Sequence, residues 1–451
     1  MERAGRSVDV RLYQLQGASA QELTGTLPEA FERGSPELWP TTPTMWSSHN
    51  QDRQQTAVDV NSPLPLIILK IASRCNLNCS YCYEFNLADQ TWKTSPALMS
   101  ADVFDNVLAR VKRHIEYSGQ KTIHFSFHGG EPCLVGYRRF HELCERAREV
   151  LEGVEVRFSL QTNGTLLNDK WAKVLAEQGV NVGISLDGPP EINDALRVDR
   201  RGRGSYNHVR RGIEVLKKAE VPFGLLTVIQ LGADPLQVHR HFLELGCKSL
   251  SYLMPDFTHD TMAGVHEKFG PTPCADFLIP IFDDWWFNST IEIRIRNFWD
   301  MARLILGGGS QVDALGNRPL YFLVINSAGD IEGLDVLKAC DDGLVKTGLN
   351  VRDADFRDIA QVSPLHSRIV FGRLPLAHVC DACQERDTCG GGYHPHRFSR
   401  ARGFDNASVW CADLLRLFTH MRARLEVSPK ETQMKRQVLE AAASEKAAVT
   451  N

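Results

Sequence analysis

Between residues 63 and 254, strand-like apolar runs alternate with helix-like segments, and this rhythm restricts the fold more than any other feature of the chain. PLIILKIA is followed by TIHFSF (122–127), VEVRFSLQT (154–162), NVGISLD (181–187), PFGLLTVIQ (222–230) and KSLSYLM (248–254). Helical patterns at 100–117, 137–151, 168–178, 205–219 and 235–245 separate them. Strands alternating with helices in this way pair in parallel, because each helix carries the chain back across the sheet. Six such units are too few to close an eight-fold barrel. The expected class is α/β, a partial (β/α)6 TIM-type barrel, with its chemistry at the C-terminal ends of the strands.

The rest of the chain divides around that core. Residues 1–62 are rich in Pro, Ser, Thr and Gln and read as a loose extension. The barrel is expected over 63–255, a helical bridge over 256–320, a C-terminal α+β region over 321–426 and a helical or disordered tail over 427–451. Within the bridge, Trp285, Trp286 and Trp299 read as core. In the C-terminal region, YFLVINSAGDIEGLDVL reads as a hairpin turning at Ser327–Asp330, with Gly329 supplying the turn. A net charge of −4 offers no electrostatic case for nucleic acid or an anionic membrane. No apolar run approaches the ~20 residues of a membrane span, and the first residues lack a signal-peptide core. A cytoplasmic address follows. There, the twelve cysteines are not expected to form disulfides.

Seven of those cysteines fall in two sets. Cys75, Cys79 and Cys82 form C-x3-C-x2-C directly after the first strand; Cys380, Cys383, Cys389 and Cys411 lie in the C-terminal region. A structural zinc site uses four ligands and a disulfide two, so a set of three points to a metal centre with one open position. Four irons on three thiolates leave one iron free to bind an amine and a carboxylate, and the reduced cluster can then cleave a bound sulfonium. Cys133, Cys144, Cys247, Cys274 and Cys340 read as buried small hydrophobes. Further rim loops end the next three strands: HGGEP (128–132), QTNG (161–164) and SLDGPP (185–190).

On C-x3-C-x2-C with Tyr81 before its last cysteine, and on the GGEP turn after strand two, the chain resembles the radical S-adenosylmethionine superfamily. The resemblance implies a [4Fe–4S] cluster on Cys75, Cys79 and Cys82, with S-adenosylmethionine as the fourth ligand. It places Gly129, Gly130 and Glu131 near the methionine amine, Gln161, Asn163 and Ser185 on the ribose and adenine side, and Arg197 on the cofactor carboxylate. Asp187 is expected to order its own turn. C-x2-C-x5-C closed by Cys411 resembles the SPASM extension, an iron–sulfur domain of radical peptide maturases whose full pattern has seven cysteines for two clusters. Here Tyr393 stands where that pattern has a further cysteine, so one auxiliary [4Fe–4S] cluster is expected, on Cys380, Cys383, Cys389 and Cys411. Zinc on these four cysteines, with the region serving as a peptide-docking module, stays open, since spacing does not exclude it.

YCYEFNLADQTW, EGLDVLK and CGGGYHPHRF…GFDNASVWCADLL resemble most closely the FxsB-like branch, maturases forming three-residue cyclophanes in ribosomally made peptides. This implies removal of a Cβ hydrogen and a carbon–carbon crosslink to an aromatic ring. Asp335 would be the base, pairing with Lys338 or an arginine being the alternative; His394 and His396 stay outside the catalytic set. The implied partners are a precursor peptide and a reduced flavodoxin or ferredoxin. Formylglycine formation and thioether formation remain alternatives on the same scaffold.

Overall fold

The computed structural model describes residues 58–288, 293–310, 312–316 and 318–449, the side chains of 440–449 excepted. The extension expected over 1–62 therefore lies outside the described residues, apart from 58–62. Six strands, β1 (Leu66–Ala72), β2 (Thr122–Gly129), β3 (Glu155–Thr162), β4 (Asn181–Ser185), β5 (Phe223–Val228) and β6 (Ser249–Leu253), pair in sequence order and all in parallel. The connecting helices are α1 (Ala101–Ser118), α2 (Tyr137–Val150), α3 (Asp169–Glu177), α4 (Pro190–Leu196), α5 (Tyr206–Lys218) and α6 (Pro235–Glu244).

Helix α1 shows how locally these elements are specified. The Ser100 side chain accepts from the Val103 N–H, and Gly119 ends the helix at φ 66°, a left-handed conformation that glycine adopts without a Cβ penalty. Val103, Phe104, Val107, Leu108 and Val111 form the buried stripe. Replacing Ser100 by Ala would cost about 1 kcal/mol. In contrast, α4 was not anticipated, because its seven residues bury only Asn193 and show no apolar periodicity.

Beyond β6 the sheet continues with β7 (Arg294–Ile295), which pairs with β6. Helices Pro273–Phe287 and Arg296–Ile305 pack beside it, with Trp285 in the core. On the opposite side, β8 (Phe322–Ile325) pairs in parallel with β1, followed by the antiparallel β9 (Asp330–Glu332) and β10 (Lys346–Asn350). The expected hairpin forms, with Gly329 at φ 89° in its turn, but it joins the barrel sheet. The result is one ten-stranded sheet, in the order β10-β9-β8-β1-β2-β3-β4-β5-β6-β7. The last helix runs Pro429–Val449.

Candidate functional site

The three thiols of the first set follow β1 at the rim, and the loops ending β2, β3 and β4 surround them. Burial pushes the thiols of Cys75 and Cys82 up to about 12, with each also feeling the charge of its neighbouring cysteines. The two glycines of HGGEP serve the packing of this loop. A Cβ on Gly129 would lie 2.2 Å from the Ala72 carbonyl oxygen, and one on Gly130 would lie 2.4 Å from that of Arg74. Their expected role was close approach to a methionine amine; what the structure shows is close approach to the cysteine loop itself. Glu131 is fully buried and acts as a brace. Its carboxylate accepts from the Cys133 N–H at 2.9 Å, the Thr162 hydroxyl at 2.7 Å and the Asn163 N–H at 2.8 Å.

That brace fixes the β3 loop. Asn163 Nδ2 donates to Asn76 Oδ1 at 2.9 Å and stands 3.7 Å from Cys75 Sγ. Gln161 Nε2 donates to Ser185 Oγ at 3.0 Å, so the residues expected on one side of the cofactor do meet. Arg197 lies almost fully buried and donates through Nη1 to the Tyr81 hydroxyl at 2.7 Å; Tyr81 in turn donates to Asp187. Asp187 also accepts from the Val228 N–H at 3.1 Å, so it does more than order its own turn. The Arg197 Nε has no hydrogen-bond partner, leaving one buried donor edge for a carboxylate.

Asp335 requires a correction in its partner. It pairs with Lys70 of β1, not with Lys338: Lys70 Nζ stands 2.5 Å from Asp335 Oδ2 and 2.6 Å from Glu84 Oε2. Tyr83 donates to the same Asp335 oxygen at 2.7 Å, and Lys338 binds the other oxygen of Glu84 at 2.7 Å. Burial alone would raise the Asp335 carboxyl, but Lys70 and then His128 hold it well below the usual carboxylate range. A base so stabilised in its charged form is a weak one at neutral pH. The signal was present in the sequence, since Lys70 is the single charge in PLIILKIA and is 2% exposed. Asp89 completes this junction by accepting from the N–H groups of Thr91 and Gly343, each at 2.8 Å. ADQTW and the segment after EGLDVLK thus meet in space.

A second acidic pocket lies beside it, carried by no motif of the sequence. Asp256, just past β6, faces Asp313 and Asp335, and burial followed by these two charges pushes its carboxyl up to about 7. Tyr393 lies near enough to Asp313 to offset part of the rise that burial gives its carboxyl, and its ring meets that of His396 edge-on at 5.3 Å. His396 Nε2 has no hydrogen-bond partner and stands 3.9 Å from Asp256 Oδ1, and burial pushes the ring down to about 3, so the imidazole is neutral.

The second cysteine set also converges. Burial raises the Cys389 thiol, which feels Cys411, Cys380 and Cys383; Cys411 is pushed up to about 11 by burial and by Cys380 and Cys383. All seven candidate ligands are partly accessible, whereas the other five cysteines are buried. Among the described residues, no three His, Cys, Asp or Glu side chains converge closely enough to hold a single ion. The donor chemistry fits iron–sulfur centres all the same. Thiols raised by mutual burial ionise when a metal binds them, and Arg197 keeps a free donor edge beside the set of three.

The rim chemistry and the partial barrel define a class, and the radical SAM superfamily model matches residues 69–267. The cysteine-type anaerobic sulfatase-maturating enzyme of Clostridium perfringens is 29% identical over 371 residues, spanning 80% of this chain and 97% of that protein. The serine-type enzyme of Klebsiella aerogenes is 33% identical over 356 residues, spanning 77% and 84%. The solved structure of native anSMEcpe with bound AdoMet and Cp18Cys peptide superposes with a TM-score of 0.66 at 27% identity, over 80% of this chain and 98% of that one. The chain belongs to the radical SAM family of SPASM-type maturases that includes the anaerobic sulfatase-maturating enzymes. It is a radical SAM enzyme, with a [4Fe–4S] cluster and S-adenosylmethionine as cofactors and auxiliary clusters in members of the SPASM type.

Proposed function

We propose that the chain is a peptide maturase that oxidises a side-chain Cβ, converting a Cys or Ser of its peptide substrate to formylglycine. Likeness to sulfatase-maturating enzymes along nearly the whole of their length, the C-terminal cysteine region included, carries this reading. Cys75, Cys79 and Cys82 would hold the cluster, which when bound would supply the electron for reductive cleavage of S-adenosylmethionine and so the radical chemistry that removes the Cβ hydrogen. Gly129, Gly130 and Glu131 shape that loop, Gln161, Asn163 and Ser185 line the nucleoside side, and Arg197 offers its free donor edge to the cofactor carboxylate. The substrate radical must then lose one electron and one proton, which gives the aldehyde directly from Ser and, from Cys, a thioaldehyde that water hydrolyses with release of hydrogen sulfide. Cys380, Cys383, Cys389 and Cys411 would hold the electron acceptor. For the proton, the Asp256–His396 pair is better poised than Asp335, since a catalytic base works best with a pKa near the working pH.

One observation favours a second reading, the three-residue cyclophane. Tyr393 and Leu334 occupy positions where relatives with the full set carry cluster cysteines, and the Tyr393 ring instead packs edge-on against that of His396. Closing a ring on an aromatic side chain also ends in loss of one electron and one proton, so the same residues serve either product. We place the enzyme in the cytoplasm, with reduced flavodoxin or ferredoxin as donor. Among the described residues no helix is long and apolar enough to cross a membrane.

The test is anaerobic reconstitution followed by incubation with S-adenosylmethionine, dithionite and the Cp18Cys peptide. The expected result is about eight irons per chain, from two four-iron clusters, with 5′-deoxyadenosine and an aldehyde in place of the peptide thiol. Loss of two hydrogens with the thiol intact, on a peptide carrying an aromatic residue, would instead establish the crosslink. About four irons and one zinc would remove the electron acceptor and sink both readings.

A further inference from the structure

Two arginines are buried in the C-terminal region, and they are treated differently. Arg422 meets Glu385 through two bonds, Nε to Oε1 at 2.6 Å and Nη2 to Oε2 at 2.9 Å. Arg397 is only 1% exposed, yet among the described residues no carboxylate pairs with it. Its Nη2 donates to two backbone carbonyls, Pro375 and Phe404, and its Nε has no partner. Burying a cation without an anion is costly, so a charge balancing it is to be expected nearby. Asp405, the one acid whose charge it feels, is engaged by Arg402 at 3.6 Å. What remains are the thiols of Cys380 and Cys389, whose charge it also feels. The side chain lies against the loop just past Cys389: a Cβ on Gly391, which sits at φ 83°, would come 3.5 Å from both Arg397 Cδ and Nη1.

We propose that Arg397 is the counter-ion of the metal centre held by Cys380, Cys383, Cys389 and Cys411, and that its charge makes this centre a better electron acceptor. The inference rests on reading those four cysteines as an iron–sulfur site. Four thiolates around a [4Fe–4S] core leave a net negative charge, and a guanidinium fixed beside it offsets that charge. Reduction adds one more negative charge without moving Arg397, so the cation stabilises the reduced form most and raises the potential. Arg197 stands near the first set in an analogous way, but it is shared with Tyr81 and Asp187. Arg397 has no such competitor.

The experiment is an EPR-monitored redox titration of the reconstituted holoenzyme, comparing wild type with Arg397→Lys and Arg397→Gln. The signal of the first cluster serves as internal reference. Arg397→Gln should shift the auxiliary potential to more negative values or release auxiliary iron to a chelator faster, while Arg397→Lys keeps most of the wild-type behaviour. Unchanged potential and retention in Arg397→Gln would overturn the proposal. So would equal iron loss in both variants, because lysine keeps the charge and loss in both would reveal a purely steric role. If the wild-type site contains zinc, the metal count shows that the iron–sulfur reading has failed. The redox half of the proposal then falls with it, and the same ranking of chelator release still decides whether Arg397 is the counter-ion.

Discussion

Asp256 feels the charge of Asp335, and burial penalises the charge on both, yet they end in opposite states. Asp335 is held low, while Asp256 is pushed up to about 7. The difference is Lys70, which donates to Asp335 from inside β1, whereas Asp256 has an unpartnered, neutral imidazole and two other acids for company. Burial alone does not decide the charge of a carboxylate; the nearest cation does. For function, the contrast separates an acid that fastens the cysteine loop to the C-terminal hairpin from one able to exchange a proton near neutrality.

The largest effect that could break this comparison is expected from Lys70→Met. It leaves Glu84 and Asp335 buried with one cation, Lys338, to share, and should cost about 3–5 kcal/mol in denaturant unfolding. A cost below about 1 kcal/mol would mean that Lys70 does not hold the junction. Next, Asp256→Asn should lower product formation about 100-fold while 5′-deoxyadenosine continues to appear. If Asp335→Asn shows that uncoupling instead, and stays as stable as wild type, the roles of the two acids are reversed. Third, product formation should rise with pH through about 7 as Asp256 loses its proton, and this limb should vanish in Asp256→Asn. His396, Asp313, Asp335 and Tyr393 face Asp256 and would move the midpoint if altered.

The smallest effect is on stability. The folded-state value of Asp256 lies above its ordinary one, so the native protein binds more protons between about pH 4 and 7. Its contribution is therefore present below that window and fades as pH rises through about 7. Asp335 has the opposite sign, its contribution being present above its ordinary value and lost on acidification. Melting temperatures measured across this range should fall less steeply toward neutrality in Asp256→Asn than in wild type; an identical slope would show that Asp256 titrates alike in both states.

Much of this architecture was legible in the sequence, for a physical reason. β1 to β6 and their long helices carry strong periodicity, and the glycine and cysteine loops fall where those strands end. α4, β7 and β10 escaped because they are short and held by tertiary pairing. At the site, spacing marks seven cysteines as candidate ligands, and these seven are the partly accessible ones. The pairing of Asp335 with Lys70 was not readable, because it joins residues far apart in the chain, nor was the Asp256 pocket, assembled from four separate segments. In retrospect, a lone lysine within an apolar strand is the pattern to watch for.

Because β8 lies directly against β1, from Leu66 opposite Phe322 to Leu69 opposite Ile325, the C-terminal hairpin is not hung on a tether that could lengthen or swing. Its place beside the strand that leads into the first cysteine set is a matter of strand register, set by the same ladder of amide bonds that holds the barrel together. A chain cut before residue 322 would uncover the full edge of β1, a surface prone to pairing with other chains. Such a fragment would be expected to aggregate rather than survive as an independent barrel.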